Sequence, residues 1–193
     1  RAQLCIRFIL HGKVELDALR ATDPVCLHSL YFIGPAIELV EVFEQLNDFD
    51  GDLVLAGMPG WKHDPIFERI SASPRADRIR HIAYVDDAAL PPLYAGAACL
   101  LQASFYEGFG FPPLEAMACG TTVVSSPGGS LPEVIGGAAT VLPTDDPKPW
   151  RDAIMDAIDT AATGTEARRA HAAGFTWERT AARTWKVYDQ VTA

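Results

Sequence analysis

The run Ala97-Ala98-Cys99-Leu100-Leu101, followed by Tyr106-Glu107-Gly108-Phe109-Gly110-Phe111-Pro112-Pro113-Leu114-Glu115-Ala116-Met117-Ala118-Cys119-Gly120 and then Thr121-Thr122-Val123-Val124, decides the fold. Its first five residues are apolar, too few for a helix and bounded by polar residues, as in a strand buried on both faces. Gly108 and Gly110 mark a turn, Pro112-Pro113 open a short helix, and Gly120 closes it before a second strand begins at Thr121. The turn therefore lies at the carboxyl end of a strand, where open α/β sheets bind ligands.

The same alternation continues outward in both directions. Upstream, Leu30–Gly34 reads as a strand, and 36–46 reads as a helix with Ile37, Val40 and Phe43 near helical spacing. Asp52–Gly57 is a strand, Asp64–Ser71 a helix, Arg78–Val85 a strand and 86–95 a short helical segment. Downstream, Ser130 and Glu133 have capping-box spacing before a helix at Leu131–Ile135, and Ala138–Leu142 is a short strand. Asp146-Pro147 supplies an N-cap and a first helical residue for a helix reaching about residue 162. From Thr176 an amphipathic helix carries Trp177, Ala181, Thr184, Trp185, Tyr188 and Val191 on one stripe. The expected architecture is α/β, a Rossmann-like parallel sheet with helices on both faces, over residues 30–193. Residues 1–29 stand as an unassigned segment, read as a remnant of an amino-terminal domain, with Leu4–Leu10 having the character of a strand.

Composition narrows the function. With 193 residues and a formal net charge of −9, the chain has no dense Lys/Arg tract, which disfavours nucleic-acid binding. Cys5, Cys26, Cys99 and Cys119 have no Cys-x-x-Cys spacing and read as free thiols of a reducing compartment. No apolar run approaches the length of a membrane-spanning helix, and residues 1–10 lack a leader-peptide cleavage pattern. The expected location is cytoplasmic, or peripheral at the inner face of the membrane. The acidic run Asp48-Phe49-Asp50-Gly51-Asp52 lacks the distal glutamate of a calcium loop and reads as a solvated turn. Five scattered histidines offer no metal-ligand spacing, so neither a metal site nor a cofactor is expected.

The central motif has its own chemistry. Glycines let the backbone approach a ligand without a Cβ in the way. Unpaired N–H groups and a helix dipole meeting at such a turn suit a phosphate or sugar hydroxyls. Glu115, expected in the first helical turn, could accept hydrogen bonds from a vicinal diol. Glu107, at the strand end, could face hydroxyls or developing positive charge. Taken singly, each glutamate is as well explained by the helix dipole or by an ordinary turn; the combination with flanking aromatics is much more specific.

Tyr84-Val85-Asp86, the segment Leu90-Pro91-Pro92-Leu93-Tyr94-Ala95-Gly96-Ala97, the central motif, and Ser130-Leu131-Pro132-Glu133-Val134 together resemble the carboxyl-terminal half of the family-4 GT-B glycosyltransferases. The similarity runs in order over about residues 52–193. It implies a retaining, metal-independent transfer of a sugar from a nucleotide diphosphate sugar to an acceptor, expected to be a sugar or lipid-linked glycan. It also implies that Glu115 binds the donor ribose, that Gly108, Phe109 and Gly110 offer N–H groups to diphosphate and sugar, and that Glu107 steadies an oxocarbenium-like transition state. The backbone at Val85 would meet the base; Ala83 stands where the family usually has Gly. Ser130 and Glu133 match the family as well, but the capping box accounts for them.

Two features depart from the family pattern. Gly34-Pro35 runs straight into a helix where the family carries a basic diphosphate-holding loop, and no Arg or Lys occurs between Arg20 and Lys62. Either about ten residues of that loop are missing from this sequence or the clamp is lost; the intact flanking patterns favour the first. Lys13 is not a credible substitute. An amino-terminal GT-B domain that binds acceptor would also have to lie outside this chain. A non-catalytic nucleotide-sugar-binding domain and a GT-B sugar-nucleotide epimerase are the alternatives.

Overall fold

The structure is a computed structural model and describes residues 7–11, 33–57, 64–143 and 146–192. Its sheet contains β1 (Arg7–His11), β2 (Asp52–Ala56), β3 (Ile79–Ile82), β4 (Ala97–Gln102), β5 (Val123–Ser125) and β6 (Thr140–Val141), in the order β3-β2-β1-β4-β5-β6. The described helices are α1 (Ile33–Glu44), α2 (Asp64–Ser71), α3 (Leu90–Ala95), α4 (Phe111–Ala118), α5 (Leu131–Ile135), α6 (Pro147–Asp159), α7 (Thr165–Ala173) and α8 (Trp177–Thr192). β2 pairs with β3 in parallel, as do β4 with β5 and β5 with β6. β1 pairs antiparallel with both β2 and β4. Five strands therefore point one way, and their carboxyl ends share one edge.

Alternation along the strands divides the core into two layers. Leu53, Leu55, Cys99, Leu101 and Val124 pack with Val40 and Phe43 of α1, Ile66 of α2, and Trp150 and Ile154 of α6. Val54, Ala56, Leu100 and Val123 pack instead with Leu93 and Tyr94 of α3, Leu114 and Met117 of α4, Val134 of α5 and Ala172 of α7. Both faces of the sheet are thus covered, which is why β2 and β4 read as continuous apolar runs. Leu53, Val54, Leu55 and Leu100 are completely buried, and each such side chain contributes about 1.5–3 kcal/mol.

Several expectations change. The sheet is parallel except at its centre, where residues 7–11, read as standing apart from the domain, form the antiparallel β1. A short apolar strand alternates identically in either direction, so its sequence does not specify its sense. Ile33 and Gly34 belong to α1 rather than to a strand Leu30–Gly34, whose first three residues lie outside the described ones. The short β3 leaves Ala83–Val85 in the loop beyond it. Asp52 is not in a solvated turn: it is 5% exposed and opens β2. Its carboxylate accepts hydrogen bonds from Arg78 Nε and Arg80 Nε, each at 2.7 Å. Burial pushes the Asp52 carboxyl up, but the hydrogen bonds from Arg80 and Arg78 outweigh it and hold it below its ordinary value.

Other elements stand as read. The Asp146 side chain accepts the Lys148 N–H at 2.9 Å ahead of α6. Cys99 is buried and Cys119 half-buried, both as free thiols, while Cys5 and Cys26 lie outside the described residues. α7 was not anticipated, yet its buried Arg168 donates from Nε to Gly120 O and from an Nη to Ala161 O, both at 2.8 Å. That side chain ties the end of α4 to α7 by satisfying a carbonyl just beyond the helix. No residue of α8 is buried; its Trp177, Trp185, Tyr188 and Val191 are exposed.

Candidate functional site

β4 delivers the chain to the carboxyl edge of the sheet, and residues 103–110 turn it back into α4. The turn depends on Gly110, whose φ of +103° lies in the left-handed region and whose added Cβ would stand 2.8 Å from Leu131 Cδ2. Gly108 is different: it is exposed, and a Cβ there would meet nothing within 4 Å. Its space opens outward rather than against protein. Among the described residues, none accepts a hydrogen bond from the N–H of Gly108, Phe109 or Gly110. These donors precede the first turn of α4, whose own N–H groups add to the positive end of the helix.

Glu107 sits just before the glycines and is only 5% exposed. Its Oε1 accepts from Gln102 Nε2 at 2.9 Å and from Ser104 Oγ at 3.0 Å. Burial raises the Glu107 carboxyl above its ordinary value, and the Ser104 hydrogen bond opposes that shift only in part. Among the described residues, no cation pairs with it.

The loop after β5 clamps the one after β4. Ser126 Oγ accepts the Ser104 N–H at 2.9 Å and donates to Ser104 O at 2.6 Å. A Cβ on Gly128 would come within 2.3 Å of Ser104 O, and one on Gly129, at φ +63°, within 2.3 Å of Glu107 O. Backbone meets backbone here, so only glycine fits. Ser130 completes the clamp and corrects an expectation: its hydroxyl makes no cap bond to α5. It lies 2.7 Å from Phe109 O as donor, while its N–H bonds to Glu107 O at 3.1 Å. The capping-box spacing was present, but the hydroxyl found stronger use across the turn.

Glu115 falls in the second turn of α4, not the first, because the helix begins at Phe111. It is half-buried, and its Oε2 accepts from the hydroxyl of the buried Tyr94 at 2.8 Å. Val85 arrives at the same edge from the loop after β3; its side chain belongs to the cluster containing Tyr94 and Leu114. Its main-chain N–H and C=O make no hydrogen bond among the described residues. The fold thus brings Glu107, Gly108, Phe109, Gly110, Glu115 and Val85 to one edge. Gln102, Ser104, Ser126 and Tyr94, which support them, were not singled out from sequence; the polar Gln102 ending an apolar strand run was the available signal.

Aromatic residues extend the site outward. The Phe109 ring lies 4.8 Å from that of Phe111 and 6.3 Å, edge-on, from that of Phe175. Phe175 also lines a cleft of about 240 Å³ with Glu133, Thr176, Arg179 and Arg183. Lys13 and Lys62 lie outside the described residues, whereas Gly34-Pro35, the place of the family's basic loop, falls inside α1. No helix among the described residues is long and apolar enough to cross a membrane.

Residues 27–160 match the family described as glycosyl transferases group 1. The chain is 38% identical over 139 residues to the O-antigen chain mannosyltransferase B of Escherichia coli, covering 70% of this chain and 36% of that protein. It is 35% identical over 140 residues to a D-inositol 3-phosphate glycosyltransferase of Arthrobacter sp. (strain FB24), covering 70% and 33%. It therefore spans about a third of the length of these curated relatives. Among solved structures, the sucrose-phosphate synthase of Thermosynechococcus elongatus superposes with a TM-score of 0.72 at 25% identity, over 83% of this chain and 43% of that one. Anabaena Alr3699/HepE in complex with UDP-glucose shares the fold, with a TM-score of 0.66 at 19% identity over 77% and 43%.

Proposed function

This chain belongs to the glycosyl transferases group 1 family, and from that premise we propose that it is the nucleotide-sugar donor-binding half of a retaining, metal-independent hexosyltransferase. The amino-terminal half of the GT-B fold, outside this chain, binds the acceptor, a sugar or lipid-linked glycan. The observation that carries this reading is the pairing, on one turn, of the buried Glu107, which has no cationic partner among the described residues, with an outward-open Gly108. Free N–H groups at Gly108–Gly110 take the diphosphate and the sugar, with the α4 dipole behind them. Glu115, oriented by Tyr94, accepts from the ribose hydroxyls, and the open main chain at Val85 takes the base. During transfer the bond from the anomeric carbon to the diphosphate oxygen breaks, the acceptor oxygen bonds on the same face, and its proton passes to the departing phosphate. Positive charge develops on the sugar, and the Glu107 carboxylate, in a site of low dielectric, stabilises it electrostatically.

Calorimetry on the full-length protein with UDP, GDP and ADP tests the assignment. At least one binds, Glu115→Ala weakens it by about 10-fold or more, and Glu107→Ala keeps the affinity while losing turnover. No binding by any of the three, or unchanged affinity in Glu115→Ala, would falsify the donor-site reading.

A further inference from the structure

Gln102 is the last residue of β4 and 3% exposed. Two residues beyond Leu100, it shares the sheet face that α3, α4, α5 and α7 cover. Its amide is half satisfied: Oε1 is buried with no hydrogen-bond partner, while Nε2 bonds to Ser104 Oγ at 2.7 Å and Glu107 Oε1 at 2.9 Å. A leucine at this position would bury no orphan acceptor, so the amide is kept at a cost to the fold. The hydrogens account for its use. The two amide hydrogens go to Ser104 Oγ and Glu107 Oε1, and the Ser104 hydroxyl hydrogen goes to Glu107 Oε1. All three donors are spent in a closed triangle that requires Oε1 to carry no proton, and each bond polarises the next. Ser104 is held in turn by the two Ser126 hydrogen bonds. Both hydrogen bonds to the Glu107 carboxylate fall on Oε1, and Oε2 has no partner among the described residues.

We infer that Gln102 and Ser104 are positioning residues for Glu107, holding Oε1 so that Oε2 is the oxygen offered to the reacting sugar. This rests on the proposed function. The titratable side chains on the elements that cover this face are Tyr94 on α3, Glu115 on α4, Glu133 on α5 and Glu166, Arg168, Arg169 and His171 on α7, with Tyr106 on the same loop. Arg168 and His171 bond to main-chain carbonyls, Arg169 pairs with Glu166, and none of the cations among the described residues forms an ion pair with Glu107. The neutral donors of Gln102 and Ser104 are therefore what favour the charged form against burial. Losing one of them makes protonation easier and moves the acid limb of turnover to higher pH.

Gln102→Leu in the full-length protein tests this, with melting temperature, affinity for UDP, GDP and ADP, and the pH profile of turnover on their hexose conjugates as readouts. The expected result is an equal or higher melting temperature and affinity within about two-fold of the parent. Turnover falls about 10-fold, and its acid limb shifts upward. Ser104→Ala shifts the limb in the same direction, and Ser104→Thr, which keeps the hydroxyl, moves it back toward the parent. An unchanged turnover and acid limb in Gln102→Leu overturns the inference while leaving the donor site intact. So does a joint fall of melting temperature, affinity and turnover, the mark of a merely structural residue. A parent protein that binds none of the three nucleotides removes the donor-site reading, and this one with it.

Discussion

Asp52 and Glu107 are both carboxylates at 5% exposure, placed at opposite ends of the sheet. Asp52 begins β2 and is met by two guanidinium groups; Glu107 follows β4 and is met by an amide and a hydroxyl. Their ionisation moves in opposite directions, below the ordinary value for Asp52 and above it for Glu107. Equal burial therefore does not make equal roles. A carboxylate whose charge is neutralised in the fold holds strands together, whereas one left without a cation retains the capacity to stabilise positive charge that arrives with a substrate.

The contrast breaks most directly at Glu107. Glu107→Gln is expected to lower turnover at least about 100-fold while keeping nucleotide affinity and folding; a steady-state assay beside a thermal melt checks it, and retained turnover would end the functional half of the comparison. At the other end, Asp52→Asn is expected to cost about 2 kcal/mol in urea unfolding, less than a fully buried pair, because Arg80 is half exposed. Nucleotide affinity stays unchanged, and a loss there would show that the two ends are coupled.

The pH dependence has smaller effects of opposite sign. Asp52 has a lowered folded pKa, so its stabilisation is present above the unfolded value near 3.8 and is lost as pH falls through the folded one. Asp52→Asn therefore flattens the acid side of the stability curve. Glu107 has a raised folded pKa, so the native state loses stability as pH climbs from the unfolded value near 4.5 through the folded one. Glu107→Gln removes that decline, and urea titrations across the acid range measure both slopes. Smallest of all is Gly108→Ala, expected to leave stability within about 0.5 kcal/mol because its Cβ finds open space, yet to weaken nucleoside diphosphate binding.

The difference between the two carboxylates was invisible in sequence because the arginines that define Asp52 lie 26 and 28 residues away. From the chain alone, Asp52 read as one more acid in a polar run. What was legible was local: β2 and β4 from buried apolar runs, α6 from Asp146-Pro147, and the glycine turn from its spacing. Pairing across the sheet was not, and β1 took a central antiparallel place that its own residues do not encode. Glu115 was expected one turn too early, since two prolines do not show which residue begins the helix. Ser130 shows the same limit: its spacing predicts a hydroxyl oxygen accepting an N–H of α5, whereas the hydroxyl is turned to donate to Phe109 O across the turn.

The exposed face of α8 gives the molecule a built-in optical contrast. Trp177 and Trp185 are 76% and 66% exposed, whereas Trp150 is 3% exposed and donates to Pro143 O. The two indoles on α8 emit from water and are open to acrylamide, while Trp150 emits from an apolar setting shielded from it. With the fourth tryptophan replaced, as in Trp61→Phe, quenching follows the covering of α8, and the emission that survives quenching follows the integrity of the core.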